Sequence, residues 1–149
     1  MKLRILLLLS ILALGNVTFA QDEPFKALAS AKSIKCFLTT SGFGDWKDGK
    51  AITQISDEHM EIIFDSIDLK EGKARMIGNQ SATDVFLSFT PTGITFIEQT
   101  GMGNFVFTTV FFEWADKYKK EFKVTHSRHI GMIGGAIPSQ FYGICKLWE

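Results

Sequence analysis

The sequence predicts an all-β domain, a small closed antiparallel barrel of about eight strands joined as a meander. Runs rich in Ile, Val, Phe and Thr recur at roughly ten-residue intervals, which is the spacing of short strands in β-barrels and sandwiches. Turn residues, chiefly Gly, separate these runs. The two cysteines, Cys36 and Cys145, lie in the first and last of them. A β-sandwich is the alternative arrangement.

Residues 1–20 have the pattern of a cleavable signal peptide. Lys2 and Arg4 give a positive start, residues 5–14 form an apolar core, and Ala20 suits the last position before the cut. This core is about half of the roughly 20 apolar residues that a membrane-spanning helix needs. We therefore expect a periplasmic or extracellular protein that is not an integral membrane protein after cleavage.

Residues 21–149 are predicted to form a single barrel domain, because 129 residues match the usual size of one domain. The full chain has 16 basic and 16 acidic residues. Loss of Lys2 and Arg4 leaves 14 basic residues against 16 acidic ones. A nearly neutral domain has no electrostatic attraction for nucleic acid, so no nucleic-acid partner is expected.

If the protein is exported, its two cysteines predict that the sheet closes on itself. In an oxidising compartment, Cys36 and Cys145 are expected to form a disulfide, which requires Cα atoms within about 7 Å of each other. The first and last strands would then lie side by side. A meander achieves this by closing into a barrel, although the terminal strands of a sandwich are sometimes neighbours too.

The elements follow in order along the chain. Residues 24–32 begin with Pro and are rich in Ala, which favours a short helix. The predicted strands are Ser33–Thr40, Ala51–Ile55, Met60–Leu69, Lys73–Asn79, Asp84–Thr90, Ile94–Thr100, Asn104–Phe112, Phe122–Ile130 and Gln140–Trp148.

The segments between these strands are predicted to be turns or loops. Pro91-Thr92-Gly93 has turn-forming residues in favourable order. Residues 41–50 are rich in Gly and charge, which indicates a loop, and residues 131–139 indicate an apolar, Gly-rich loop. The charged residues 113–120 are either a helical turn or the end of a long hairpin.

The run Phe122–Ile130 contains the most suggestive polar residues. Alternation along a strand places His126 and Arg128 on the same face as its apolar residues, so both would point inward. An inward Arg needs a partner, because an unpaired buried charge is very costly. That partner is either an anionic or polar ligand group in a cavity or a structural carboxylate, for which the candidates are Asp65, Asp84 and Glu98.

The run Asn104–Phe112 is apolar on both faces, which is typical of a strand covered on both sides. Phe105 and Phe107 are candidates to line a ligand pocket, as is Trp46. Gly44-Asp45-Trp46 matches the Gly-x-Trp of lipocalins, but three residues carry no family, so the predicted barrel is lipocalin-like or calycin-like in architecture only.

No enzyme motif is present in the sequence. His126 and His129 would face opposite sides of one strand, no Cys or His cluster has zinc spacing, and there is no Gly-x-Ser-x-Gly elbow or phosphate-binding Gly loop. Neither a metal nor another cofactor is expected. The predicted function is binding of a small, mostly apolar ligand in the barrel interior. The alternative is a non-catalytic protein-interaction module or homodimer that uses strand 104–112 and loop 131–139.

Overall fold

The computed structural model describes residues 22–78, 81–133 and 135–149. The predicted signal peptide, residues 1–20, lies outside the described residues. The elements are one helix and eight strands: α1 Asp22–Ser30, β1 Ile34–Lys47, β2 Lys50–Asp68, β3 Lys73–Ile77, β4 Ala82–Thr90, β5 Gly93–Gln99, β6 Phe105–Asp116, β7 Glu121–Met132 and β8 Gly135–Leu147.

The sheet closes on itself. Each strand pairs antiparallel with the next, and β1 completes the ring by pairing with β8, so the arrangement is the predicted barrel. At this seam Cys36 lies directly opposite Cys145, with their Cα atoms 3.9 Å apart, and a disulfide joins them. Both cysteines are fully buried. The predicted disulfide and the predicted closure are therefore confirmed together.

A glycine permits the close approach of β1 and β8 beside the disulfide. The register between these strands shifts between Leu38 and Thr40, and Gly143 lies opposite Leu38. A Cβ atom on Gly143 would overlap the carbonyl oxygen of Phe37 and lie 2.8 Å from the Cα atom of Leu38. Only a residue without a side chain fits there.

Two predicted loops are wrong, since both are ends of long hairpins. Residues 41–50 continue β1 into β2 through a tight turn, where Asp48 and Gly49 have φ angles of 51° and 74°. Asp-Gly suits a two-residue hairpin turn because both positions need positive φ. In the predicted loop 131–139, the residues up to Met132 likewise belong to β7 and those from Gly135 onward belong to β8, while residue 134 lies outside the described residues. The charged segment 113–120 is the end of the β6–β7 hairpin, the second of its two predicted forms.

The two predicted runs Ala51–Ile55 and Met60–Leu69 are one strand, β2. The polar residues between them are mostly exposed, yet they remain extended because they pair with β1. Hydrogen bonding to a neighbouring strand, and not burial of side chains, keeps this part of β2 in the sheet.

Helix α1 packs at the end of the barrel where β1 begins and β8 ends. Its Leu28 is fully buried, and Phe25 lies edge-on to Phe112 with ring centroids 5.0 Å apart. Pro24 in the first turn favours this start, because the first helical N–H groups need no partner within the helix. No helix in the described ranges is long and apolar enough to span a membrane.

The half of the interior next to α1 is filled by side chains, and we call it the packed half. The rings of Phe64 and Phe96 stack there with centroids 3.9 Å apart. Its apolar members share nearly complete burial and are Leu28, Ile34, Cys36, Phe64, Ile67, Ala74, Val85, Ile94, Phe96, Val110, Phe112, Phe122, Val124 and Cys145.

Candidate functional site

The other half of the interior, at the end of the barrel opposite α1, contains a cavity of about 590 Å³. We call it the open half. Ligand sites for small molecules commonly have about 300–1,000 Å³, so the space suits one small molecule. Its wall is mixed: polar and charged residues such as Thr83, Glu98 and Arg128 line it together with the apolar side chains of Met60, Ile62, Met76, Val106 and Ile130.

Strand β7 runs from the packed half into this cavity. Phe122 and Val124 are buried in the core, and the next inward residues, His126, Arg128 and Ile130, all line the cavity. The alternation predicted from the sequence therefore places His126 and Arg128 correctly on the inner face. Polarity on this strand thus increases from the packed half to the open half.

His126 is a buried, neutral group at the cavity wall. The residue is 5% exposed, and its Nδ1 atom lies 2.8 Å from the hydroxyl oxygen of Thr108 on β6. Burial lowers the pKa of His126 to about 4, and the nearby charge of Arg128 contributes in the same direction. Near neutral pH the imidazole therefore carries no charge.

Arg128 is half-buried, and its guanidinium carbon lies 5.8 Å from the centroid of the Phe141 ring. Its guanidinium forms no ion pair or hydrogen bond with any residue that the structure describes. Two predicted partners lie on the outer face. Asp65 binds Arg75 there at 2.6 Å, and Asp84 is exposed opposite Arg75 on β4.

Glu98 is the third predicted partner, and it does line the cavity. Val106 pairs with Glu98 on one side and with Arg128 on the other, so the two charged residues flank the same β6 residue. Burial raises the pKa of Glu98, and the charge of Arg128 opposes that effect. Glu98 and Arg128 thus interact through space without direct contact, since the salt bridges of the described residues do not include them.

The predicted aromatic lining is not part of this cavity. Phe105 and Phe107 alternate with the buried residues Val106 and Thr108, so they lie on the outer face of β6, where Phe105 is 45% exposed. Trp46 lies near the end of β1 and is 55% exposed. None of the three lines the cavity.

Sequence reasoning missed the apolar residues that do form the wall, such as Met60, Met76 and Val106. Beside the cavity, β6 turns the smaller Val106 and Thr108 inward and the larger Phe105 and Phe107 outward. The signal that identifies the inner face is the polar Thr108, which shares its face with Val106 and provides the partner that the inward His126 needs.

The described residues contain no group of three or more His, Cys, Asp or Glu side chains placed to hold a metal ion. Comparison with known proteins finds no matching family model, no matching curated protein and no matching solved structure. A function for this chain is therefore inferred from the geometry and chemistry of its own cavity.

Proposed function

We propose that the protein binds one small, mostly apolar molecule in the open half of its barrel. The supporting observation is the cavity of about 590 Å³, which ends on the packed half and is walled by the inner faces of strands from β2 to β7. Apolar wall area drives such binding at roughly 25 cal/mol per Å² removed from water, before the costs of association.

The test compares a residue that points into the cavity with one that points away from it. Ile130→Trp adds bulk inside the cavity, whereas Ile97→Trp adds the same kind of bulk on the outer face of β5, next to Glu98 in sequence. We expect the neutral dye Nile red to bind the wild type and Ile97→Trp, and to lose affinity for Ile130→Trp. Equal binding by both variants would place the dye outside the barrel and contradict the proposal.

We further propose that the protein acts outside the reducing cytoplasm after removal of residues 1–20. The Cys36–Cys145 disulfide supports this, since such bonds persist in oxidising compartments. N-terminal sequencing of protein recovered from the native host should give a chain that starts at Gln21. A mature chain that retains Met1 would contradict cleavage.

The second candidate is an interaction module or homodimer. Its support is an apolar row on the outer surface, where Phe86, Ile97 and Phe107 are neighbours on β4, β5 and β6, and Phe86 is 61% exposed. Light scattering of the purified mature domain should then give twice the monomer mass, and Phe107→Asp should return it to the monomer. A monomer at all concentrations favours the ligand-binding proposal.

A further inference from the structure

Arg128 differs from other cations on the strands of this barrel. Lys35, Arg75, Lys123 and Lys146 point outward, and each forms an ion pair with a carboxylate on a neighbouring strand. Arg128 points inward, where water screens charge less well, and forms no ion pair with a described residue. Of these five cations, Arg128 is the only one that lines the cavity and the only one without an ion pair to a described residue.

We propose that the molecule bound in the open half carries a single carboxylate, and that the guanidinium of Arg128 binds this carboxylate inside the cavity. This inference rests on the proposed function, and it specifies the ligand as an amphiphile with an apolar body and one acid group. A guanidinium presents five N–H donors in a planar fork that matches the two oxygens of a carboxylate.

The surroundings of Arg128 favour an anion of this size. Its cross-strand neighbours are Val106 on β6 and the buried, uncharged Ser139 on β8, and Phe141 packs under its guanidinium, so none of the three supplies a carboxylate. His126, two residues earlier on β7, is held by Thr108 and is uncharged near neutral pH. The bound carboxylate would therefore be the partner that the fold itself does not supply.

Glu98 is the one cavity-lining group in the described residues that clearly opposes anion binding. It faces the same space from β5, while Glu61, which also borders the cavity, has its carboxylate engaged by Lys35. Burial disfavours the charged form of Glu98, which weakens its competition with a ligand carboxylate. Replacement of Glu98 with Gln should then improve affinity for an acid and leave affinity for a neutral ligand unchanged.

The experiment uses two probes with the same chain, decanoate and 1-decanol, titrated by calorimetry into the mature protein near neutral pH. We expect decanoate to bind the wild type about 10- to 100-fold more tightly than decanol, the range for a hydrogen-bonded ion pair. Arg128→Met should abolish this preference by weakening decanoate binding alone. Arg128→Lys, which keeps the charge, should retain part of the preference and shows that the position tolerates substitution.

The matched control is Arg75→Met, which removes the same charge from the outer face of β3. It should leave the preference for decanoate intact, whereas Glu98→Gln should increase it severalfold. Equal affinity of the wild type for both probes, or a preference that survives in Arg128→Met, would overturn the carboxylate inference while decanol binding still supports the proposed function. Failure of both probes to bind would overturn the inference and the proposed function together.

Discussion

The two halves of the barrel are built by the same strands but have different interiors. In the packed half, β5 contributes Ile94 and Phe96 and β7 contributes Phe122, all nearly fully buried. In the open half, the same two strands contribute Glu98 and Arg128 to the cavity wall. From this contrast we expect most of the stabilising burial to lie near α1, so that the far end can keep polar groups and a cavity that a core optimised for stability would exclude.

The sharpest test of this division compares a large side chain from each half. Phe64→Ala removes one of two stacked rings from the packed half and should lower the free energy of unfolding by about 3–5 kcal/mol. Met76→Ala acts at the half-buried wall of the cavity and should cost only about 1 kcal/mol, because less area leaves contact with protein. Urea denaturation of both variants measures the difference, and equal losses would mean that the halves are not energetically distinct.

The next largest effect concerns the seam of the packed half. Replacing Cys36 and Cys145 together with Ala removes a crosslink over 109 residues and should cost about 2–5 kcal/mol. Wild-type protein unfolded with and without reductant gives the matched comparison. A variant as stable as the oxidised wild type would show that strand pairing alone holds β1 against β8.

Much of the packed half could be predicted from the sequence, whereas most of the cavity wall, apart from His126 and Arg128, could not. Cysteines in the first and last strands predict the seam, since a disulfide fixes a distance between them. In the open half, Phe105 and Phe107 suggested a lining by their size, but their position on β6 places them outside. The type of a residue shows that its side chain is large and apolar, whereas its position in the alternation along a strand determines which face of the sheet it occupies. That alternation can be assigned from the sequence only where the residues of one face differ clearly from those of the other.

The hairpins beyond the cavity were missed for a related reason. The polar part of β2 around Asp57 pairs with β1 but buries little, so its side chains carry no alternation from which a strand is predicted. By contrast, His126 and Arg128 were placed correctly because the apolar residues around them, Val124 and Ile130, leave one face of β7 unambiguous.

His126, which lies where the packed half meets the cavity, should make the free energy of unfolding depend on pH in the acid range. Burial lowers the pKa of His126 to about 4, below its ordinary value near 6.5. The unfolded chain therefore takes up a proton first as the pH falls, so the contribution of His126 is fully present above pH 6.5 and is lost progressively down to about pH 4. Because His126 is protonated only in the unfolded chain over this range, the free energy of unfolding should fall by up to about 3 kcal/mol.

Variants at the two histidines of β7 isolate this effect. His126→Gln should flatten the pH dependence of unfolding between pH 6.5 and pH 4, whereas His129→Gln, at an exposed position on the outer face, should preserve it. Glu98 acts in the opposite direction, because a raised pKa adds stability that is lost as the pH rises through it, so only the difference between variants is interpreted. Identical curves for the two variants would show that His126 is not held neutral by the fold.

The smallest expected change in stability comes from Arg128→Met, and it tests whether Arg128 is present for binding or for folding. Arg128→Met replaces an inward cation that has no ion-pair partner in the described residues with an apolar side chain of similar length, so it should leave unfolding unchanged or raise its free energy by up to about 1 kcal/mol. Arg75→Met breaks the exposed pair with Asp65 and should cost a few tenths of a kcal/mol to about 1 kcal/mol. The two substitutions change net charge equally, so opposite signs would show that Arg128 is kept at the expense of stability, as expected for a binding group. A clear loss of stability in Arg128→Met would instead make Arg128 a structural residue, and the open half would then differ from the packed half in volume alone.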